Sequence, residues 1–414
     1  MDILLPLAIF CTFGAVVLAG LLRMAKEEER RWLALTLGLA FAVRLVAATV
    51  FALVPEARIF HDDADGYELN GMAIAAGWAG RGPPLPVGSG QNHGFTVVAA
   101  TLYYLLGGFR VILAYFNAVL GTITILLVYV LARQLVHKLV ARRAALLTAF
   151  MPSMILWSAV ALKDTLMTGL IVLCLLSCLR LKERLSFWSL LGTVLPLAAI
   201  QPIRFYIVYF VALAVAASLV LDRGMNMVRG FYKQLALMGV VVALFTAIGL
   251  ARPAQEGTDV LSFERVSSYR SGMARTAESG FRADADISTP TRALLFLPVG
   301  LTVLLLGPFP WQITSLRAAM AMPETILWWL MFPSMIRGIA FLLRYRFSPS
   351  SPLVIFSVTL SLAYSLVHGN VGSGFRQRAQ IFVFLFIFAA LGRYQKRCRQ
   401  ANLNDQLLLT PHPE

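Results

Sequence analysis

The sequence predicts an all-α polytopic membrane protein of roughly ten transmembrane helices, each needing about 20 apolar residues, with outer-face loops forming the site. Three observations carry that prediction. Hydrophobic residues make up 58% of the 414 and charged residues only 14%, and the mean hydropathy is +0.74, far from a soluble domain. Apolar runs of spanning length recur along the chain with mostly short connections. The formal charge of +15 falls in short basic clusters between those runs, the pattern of cytoplasmic loops, so it does not point to nucleic acid. The four cysteines are scattered and show neither a disulfide framework nor metal-ligand spacing.

The first run, residues 3–22, lacks the basic start of a cleavable signal peptide and reads as a retained span. Arg23, Lys26, Arg30 and Arg31 mark the turn after it as cytoplasmic, and a second span over 33–54 returns the chain to the outer face. There the stretch 60–67 reads FHDDADGY. Asp62, Asp63 and Asp65 crowd together beside a membrane span, repel one another, and call for a proton, a cation or a polar substrate. From this stretch alone a solvated acidic loop would leave the same trace. Residues 68–78 have a helical pattern suited to the membrane surface, a Gly/Pro-rich stretch ends at His93, and 95–106 is too short to span. These make 55–108 an acidic outer region after the two N-terminal spans of 1–54.

A span over 110–131 ends at the basic cluster of Arg133, Lys138, Arg142 and Arg143, where His137 reads as a solvated basic neighbour. From 144 the chain runs outward to Lys163 and Asp164, on the same face as the first aspartates, and returns by 165–179. Such a pair is either an ion-paired boundary or a functional group, and ionisable residues at membrane depth favour the second. Pro202 then splits 187–221 into two spans meeting outside beside Arg204, whose guanidinium suits a phosphate as well as it suits snorkelling to lipid head groups. After a cytoplasmic turn over 222–233 and a span over 234–250, the segment 251–292 carries six arginines and six acidic residues and reads as an ordered outer loop or lid. Next come the spans of 293–392, with 294–306 either a short span or a re-entrant pair. His368 to Arg378 lie outside, where Arg376 and Arg378, at a glycine-rich turn, suit a phosphate clamp assisted by backbone N–H groups. The cytoplasmic tail is 393–414.

The order of these features resembles a known family. Asp63 to Tyr67 read D-x-x-x-Y in an outer loop after an early span, followed by a small-residue helix with a glycine, a Gly/Pro stretch, a span starting near an arginine, a basic cytoplasmic turn, and a Pro-Ser span leading to Asp164. This is similar to the N-terminal half of the GT-C superfamily of membrane glycosyltransferases, the type that includes aminoarabinose transferases and protein O-mannosyltransferases. The likeness covers residues 54–221 and makes 109–250 a GT-C-like helical core; the C-terminal half carries no family signature, and one span more than those relatives usually have precedes the acidic loop. The resemblance implies transfer of a sugar from a polyprenyl-phosphate donor to a glycan, lipid or protein acceptor on the outer face. It places the catalytic base at Asp63, with Asp62 or Asp65 as neighbours, and the second acidic residue at Asp164.

The residues fit that chemistry. Glycosyl transfer needs a carboxylate near the acceptor nucleophile, and the departing lipid phosphate needs positive charge. The expected catalytic residues are Asp63, Asp65 and Asp164. Asp62, Tyr67, His93, Lys163, Arg204, Arg376 and Arg378 are the expected substrate-binding residues. No cofactor is required and no metal ligands are assigned, although paired carboxylates suit a divalent cation. Membrane lipids are the remaining partner, and the bacterial inner membrane, with the active face outside, the expected location. Two other classes compete: a polysaccharide polymerase or O-antigen-ligase-like enzyme, which would use arginines and a histidine of a large outer loop, and a lipid-linked glycan transporter, whose charges belong mid-span in broken helices. The 251–292 segment has no histidine, and nearly all charges map to span ends.

Overall fold

The computed structural model describes residues 4–23, 26–54, 62–83, 93–184, 186–221, 262–313 and 316–400, with the backbone alone at Asp62 and at 316–318. The expected turn over 222–233, the span over 234–250, the first part of the 251–292 loop and the tail after 400 lie outside the described residues. Within them are sixteen α-helices and no strand, as expected for an all-α chain. Six helices are long and apolar enough to cross a membrane, or eight if each of two bent pairs is one span. The protein is a multi-pass membrane protein. Four further apolar helices have between 10 and 17 residues, and at 1.5 Å per residue they fall short of the ~30 Å hydrocarbon core.

Helix packing divides the chain into two compact units. The first comprises residues 1–173 with 199–205. Its helices are α1 (Leu4–Leu22), α2 (Glu27–Leu53), α3 (Asp62–Trp78), α4 (His93–Leu106), α5 (Val111–Leu135), α6 (Lys138–Phe150), α7 (Pro152–Ser158) and the start of α8 (Asp164–Glu183). The core is α5, which packs against α1, α2, α4, α6 and α7 and buries most of its length. α3 and α4 pair with each other, and α4 reaches α5.

The outward passage from 144 is not one straight helix. Pro152 cannot donate to the Thr148 carbonyl, and α6 and α7 meet at a bend of 58°. The basic end of this unit is tied together rather than merely solvated. Glu29, 2% exposed, accepts two bonds from Arg142 at 2.9 Å each and one from the Tyr129 hydroxyl at 2.8 Å, joining α2, α5 and α6. His137 caps α6, its Nδ1 accepting from the Leu139 N–H at 3.2 Å, a role that reading it as a solvated neighbour missed.

The second unit holds the rest of α8, α9 (Phe187–Ile200, with its last two residues in the first unit), α10 (Phe205–Val220), α11 (Phe263–Thr276), α12 (Pro290–Leu306), α13 (Leu316–Tyr345), α14 (Phe347–Val367), α15 (Val371–Gln377) and α16 (Ala379–Gln400). The ambiguous run near 300 is the single helix α12, with Pro298 inside it. α13 runs for 30 residues through Pro323 and Pro333; a membrane helix tolerates such breaks when neighbouring helices satisfy the freed groups. α13 packs against α16. The two approach so closely that a Cβ on Gly338 would meet the Phe388 carbonyl at 1.9 Å and one on Gly392 the Ser334 carbonyl at 1.8 Å, the small-residue contact typical of membrane helix pairs.

Candidate active site

The acidic stretch opens a helix. Asp62, Asp63 and Asp65 fall in the first turn of α3, where the carboxylates of Asp63 and Asp65 suit the positive end of the helix dipole. Asp65 and Glu68 lie three apart on one face, and both bind Arg110, the residue preceding α5. Its Nε donates to Glu68 Oε2 at 2.7 Å and its Nη2 to Asp65 Oδ1. Burial works against the charge on Arg110, but Glu68 and then Asp65 outweigh it and hold its pKa above the ordinary arginine value. Asp63 is exposed beside this cluster.

Tyr67 points elsewhere. Its ring meets Phe95 of α4 edge-on at 5.0 Å, and the Lys163 ammonium sits 5.7 Å from its centroid, within cation–π range. Lys163 and Asp164 begin α8, and both are buried. Arg204 Nη2 donates to Asp164 Oδ1 at 2.8 Å, with the side chains 3% and 1% exposed. The turn carrying Arg204 is held in place by Gly94, whose N–H donates to the Pro202 carbonyl at 3.0 Å; a Cβ on Gly94 would lie 2.9 Å from that peptide. His93, half-buried, therefore starts α4 next to the same turn.

The loop before Lys163 is pinned from α5. Asn117 Nδ2 donates to the carbonyls of Val160 at 2.7 Å and Leu162 at 2.8 Å, and the Thr165 hydroxyl donates to the Trp157 carbonyl. Ala159, Val160 and Ala161 line a cavity of about 40 Å³ together with Ala48, Ala52, Ala114, Asp65, Glu68 and Arg110. That is room for about two or three waters.

The first unit therefore ties Asp65 to Arg110, sets Lys163 over Tyr67, and joins Asp164 to Arg204, with His93 beside the Arg204 turn. Sequence reasoning passed over Glu68 and used Arg110 only to mark the start of a span. The signal was present, since Asp-x-x-Glu on a helix and a lone arginine at a span start are complementary, but pairing them needs the α3 to α5 geometry. Among the described residues, no three His, Cys, Asp or Glu side chains gather around one point.

Arg376 and Arg378 belong to the second unit. The glycine-rich segment there is helical, and Asn370 Oδ1 takes the N–H groups of Gly372 and Ser373. Arg378 is 1% exposed, lies between the rings of Phe375 and Phe382, and donates to the Leu304 and Gly307 carbonyls. Arg376 is half-buried on α15. Of the segment expected outside, the described residues 262–292 contain α11, whose Arg270 donates to the carbonyls of Phe281 and Arg282 at 3.1 and 2.7 Å and stacks on Phe281 and Phe296. Gly280 and Asn370 form a β-bridge. This segment is ordered and packed.

The chain shares its fold with solved archaeal membrane oligosaccharyltransferases. In particular, the chain resembles the oligosaccharyltransferase AglB of Archaeoglobus fulgidus solved with an inhibitory peptide and a dolichol-phosphate, with a TM-score of 0.51, 15% identity, and coverage of 94% of this chain and 53% of that one. The apo form of the Archaeoglobus fulgidus oligosaccharyltransferase gives 0.48 at 13% identity over 94% and 54%. The chain spans about half the length of these structures. No protein-family profile matches the sequence, and no curated protein matches it.

Proposed function

We propose that the protein is a membrane glycosyltransferase that moves a sugar from a polyprenyl-phosphate donor to a glycan, lipid or protein acceptor at the outer face of a bacterial inner membrane. The observation that carries the reading is the set of charged contacts in the first unit, Asp65 with Arg110, Lys163 over Tyr67 and Asp164 with Arg204, made by elements other than those of the basic cluster tied by Glu29 and Arg142. AglB is described with a dolichol-phosphate and an inhibitory peptide, which supports a lipid-phosphate donor and keeps a protein acceptor in view.

In this reading Asp63, exposed in the first turn of α3, removes the acceptor's proton as its oxygen or nitrogen bonds to the anomeric carbon. Asp65, tethered through Arg110, fixes the helix that presents Asp63. Asp164, oriented by Arg204, holds acceptor or sugar hydroxyls. The bond between the sugar and the phosphate breaks with its electrons going to the phosphate, and Lys163 offsets that charge. Arg204 and His93 are the remaining candidate contacts to donor phosphate in the first unit, and Arg376 is a separate candidate in the second. Arg378 stays in the proposed set as a supporting residue, since it is buried and its Nη1 donates to the Leu304 and Gly307 carbonyls. A divalent cation beside Asp63 would supply further charge to the leaving phosphate; a chelator titration tests for it.

The test is transfer of radiolabel from a mixed pool of polyprenyl-phosphate sugars by the protein in liposomes. Wild type transfers label and Asp63→Asn, inserted and folded, loses it by about 10²-fold or more. A wild type that binds no such carrier sinks the reading.

A further inference from the structure

We infer that Arg44, an arginine buried in the middle of α2, is a positioning residue for the Lys163 and Asp164 loop. The inference rests on the functional reading above only for the meaning of that loop.

Arg44 is 1% exposed in a helix of spanning length, where an ionised side chain is costly and is retained for a reason. Its contacts supply the reason. Nη1 donates to the Ala149 carbonyl at 2.9 Å and to its own helix at Ala40, and Nη2 donates to the Thr148 carbonyl at 3.1 Å. Of these, the Thr148 carbonyl is the one that Pro152, having no N–H, leaves without a helical donor. The cation also faces the negative end of the α6 dipole. Arg44 thus takes the place of the missing hydrogen bond and holds α7 at its 58° bend.

The bend sets the path of the chain into the candidate site. α7 ends at Ser158, which packs on α5 so closely that a Cβ on Gly121 would lie 2.7 Å from the Ser158 Cβ and 3.1 Å from Arg44 Nε. Three residues, Ala159 to Ala161, then line the cavity that Asp65, Glu68 and Arg110 also line, and Lys163 and Asp164 follow after Leu162. On α2 itself, Arg44, Ala48, Phe51 and Ala52 share one face, and the last three line the same cavity. The arginine sets the angle of the broken span, and Asn117 sets the height of the loop that leaves it.

The test reads geometry without substrate. In a Cys11→Ser background, Ala161→Cys is labelled with a small maleimide with Arg44 intact and with Arg44→Met, and Ala132→Cys, buried at the other end of α5, is the control. The expected result is labelling at position 161 faster by about tenfold, as a local opening produces, with position 132 unchanged. Unchanged labelling at position 161, or an equal rise at both positions, overturns the inference, the second outcome meaning general loosening. If Arg44→Met does not insert, Arg44→Met/Pro152→Ala is used, because an alanine in place of the proline supplies the N–H for Thr148. That double variant recovers insertion while position 161 stays fast to label; failure to recover it overturns the inference too. A transfer assay that stays silent speaks only to the proposed activity, and Arg44→Lys, which keeps one donor, restores slow labelling in part.

Discussion

Arg204 donates to Asp164 at 2.8 Å across a buried pair whose members are 40 residues apart in sequence. Neither side chain belongs to the helix that carries the other, so the pair welds the start of α8 to the turn after α9. Removing one partner leaves a charge desolvated, at a cost of roughly 3–5 kcal/mol. Arg204→Met is therefore expected to lower thermal stability in detergent sharply, and Asp164→Asn/Arg204→Met to recover part of the loss. A double variant as unstable as the sum of the singles would show that the pair is not coupled.

The two carboxylates on Arg110 are expected to separate stability from activity. Glu68 is 10% exposed at its side chain and Asp65 45%. Glu68→Gln should cost on the order of 1–3 kcal/mol, as for a buried charge-assisted bond. Asp65→Asn, at an exposed pair, should cost at most about 1 kcal/mol yet depress transfer more than Glu68→Gln does. Melting curves and initial rates measured on the same preparations check the reversal.

Arg376 and Arg378 sit two residues apart and are expected to fail differently. Arg378→Ala strips the Leu304 and Gly307 carbonyls of their donor, at ~1–3 kcal/mol for each buried group left unsatisfied, and should lower stability whatever the substrate. Arg376→Ala should leave the melting temperature nearly unchanged and weaken donor binding, read as a rise in KM. Equal melting temperatures for the two variants would contradict the assignment.

His137 gives a pH dependence. Burial first, and then the neighbouring Lys138, lower its pKa below the usual 6.5, and its cap on α6 needs an unprotonated Nδ1. The folded state thus holds the proton less tightly than the unfolded chain. The stabilisation is present in full above pH 6.5 and is lost as pH falls through the lowered folded value. Thermal unfolding between about pH 8 and pH 5 should show a decline that His137→Asn, a cap that does not titrate, makes shallower.

How far the chain could be read in advance depended on the range of the interactions involved. The spans were legible because a lipid environment enforces about twenty apolar residues at a time, and residues 187–221 split at Pro202 as expected because proline acts on its own backbone. The bend at Pro152 was missed for want of its partner, Arg44, more than 100 residues distant. Arg378 looked like a surface cation at a glycine-rich turn, since nothing local announces the α12 carbonyls it binds. The carbonyls of Leu304, Leu305, Leu306 and Gly307 are all taken by side chains, from Arg378, Trp328 and Trp329, and those donors come from other helices.

By itself, then, the sequence determined the all-helical membrane class, the basic and acidic ends of the first unit, and the candidate carboxylates, because composition, charge and helix periodicity act within a few residues. Only the tertiary structure decided that Asp65 shares Arg110 with Glu68, that Lys163 lies over Tyr67, and that Arg204 holds Asp164. Those choices are electrostatic pairings among groups that lose water together on packing, and a desolvated charge selects whichever partner the fold brings within about 3 Å, which no local pattern records.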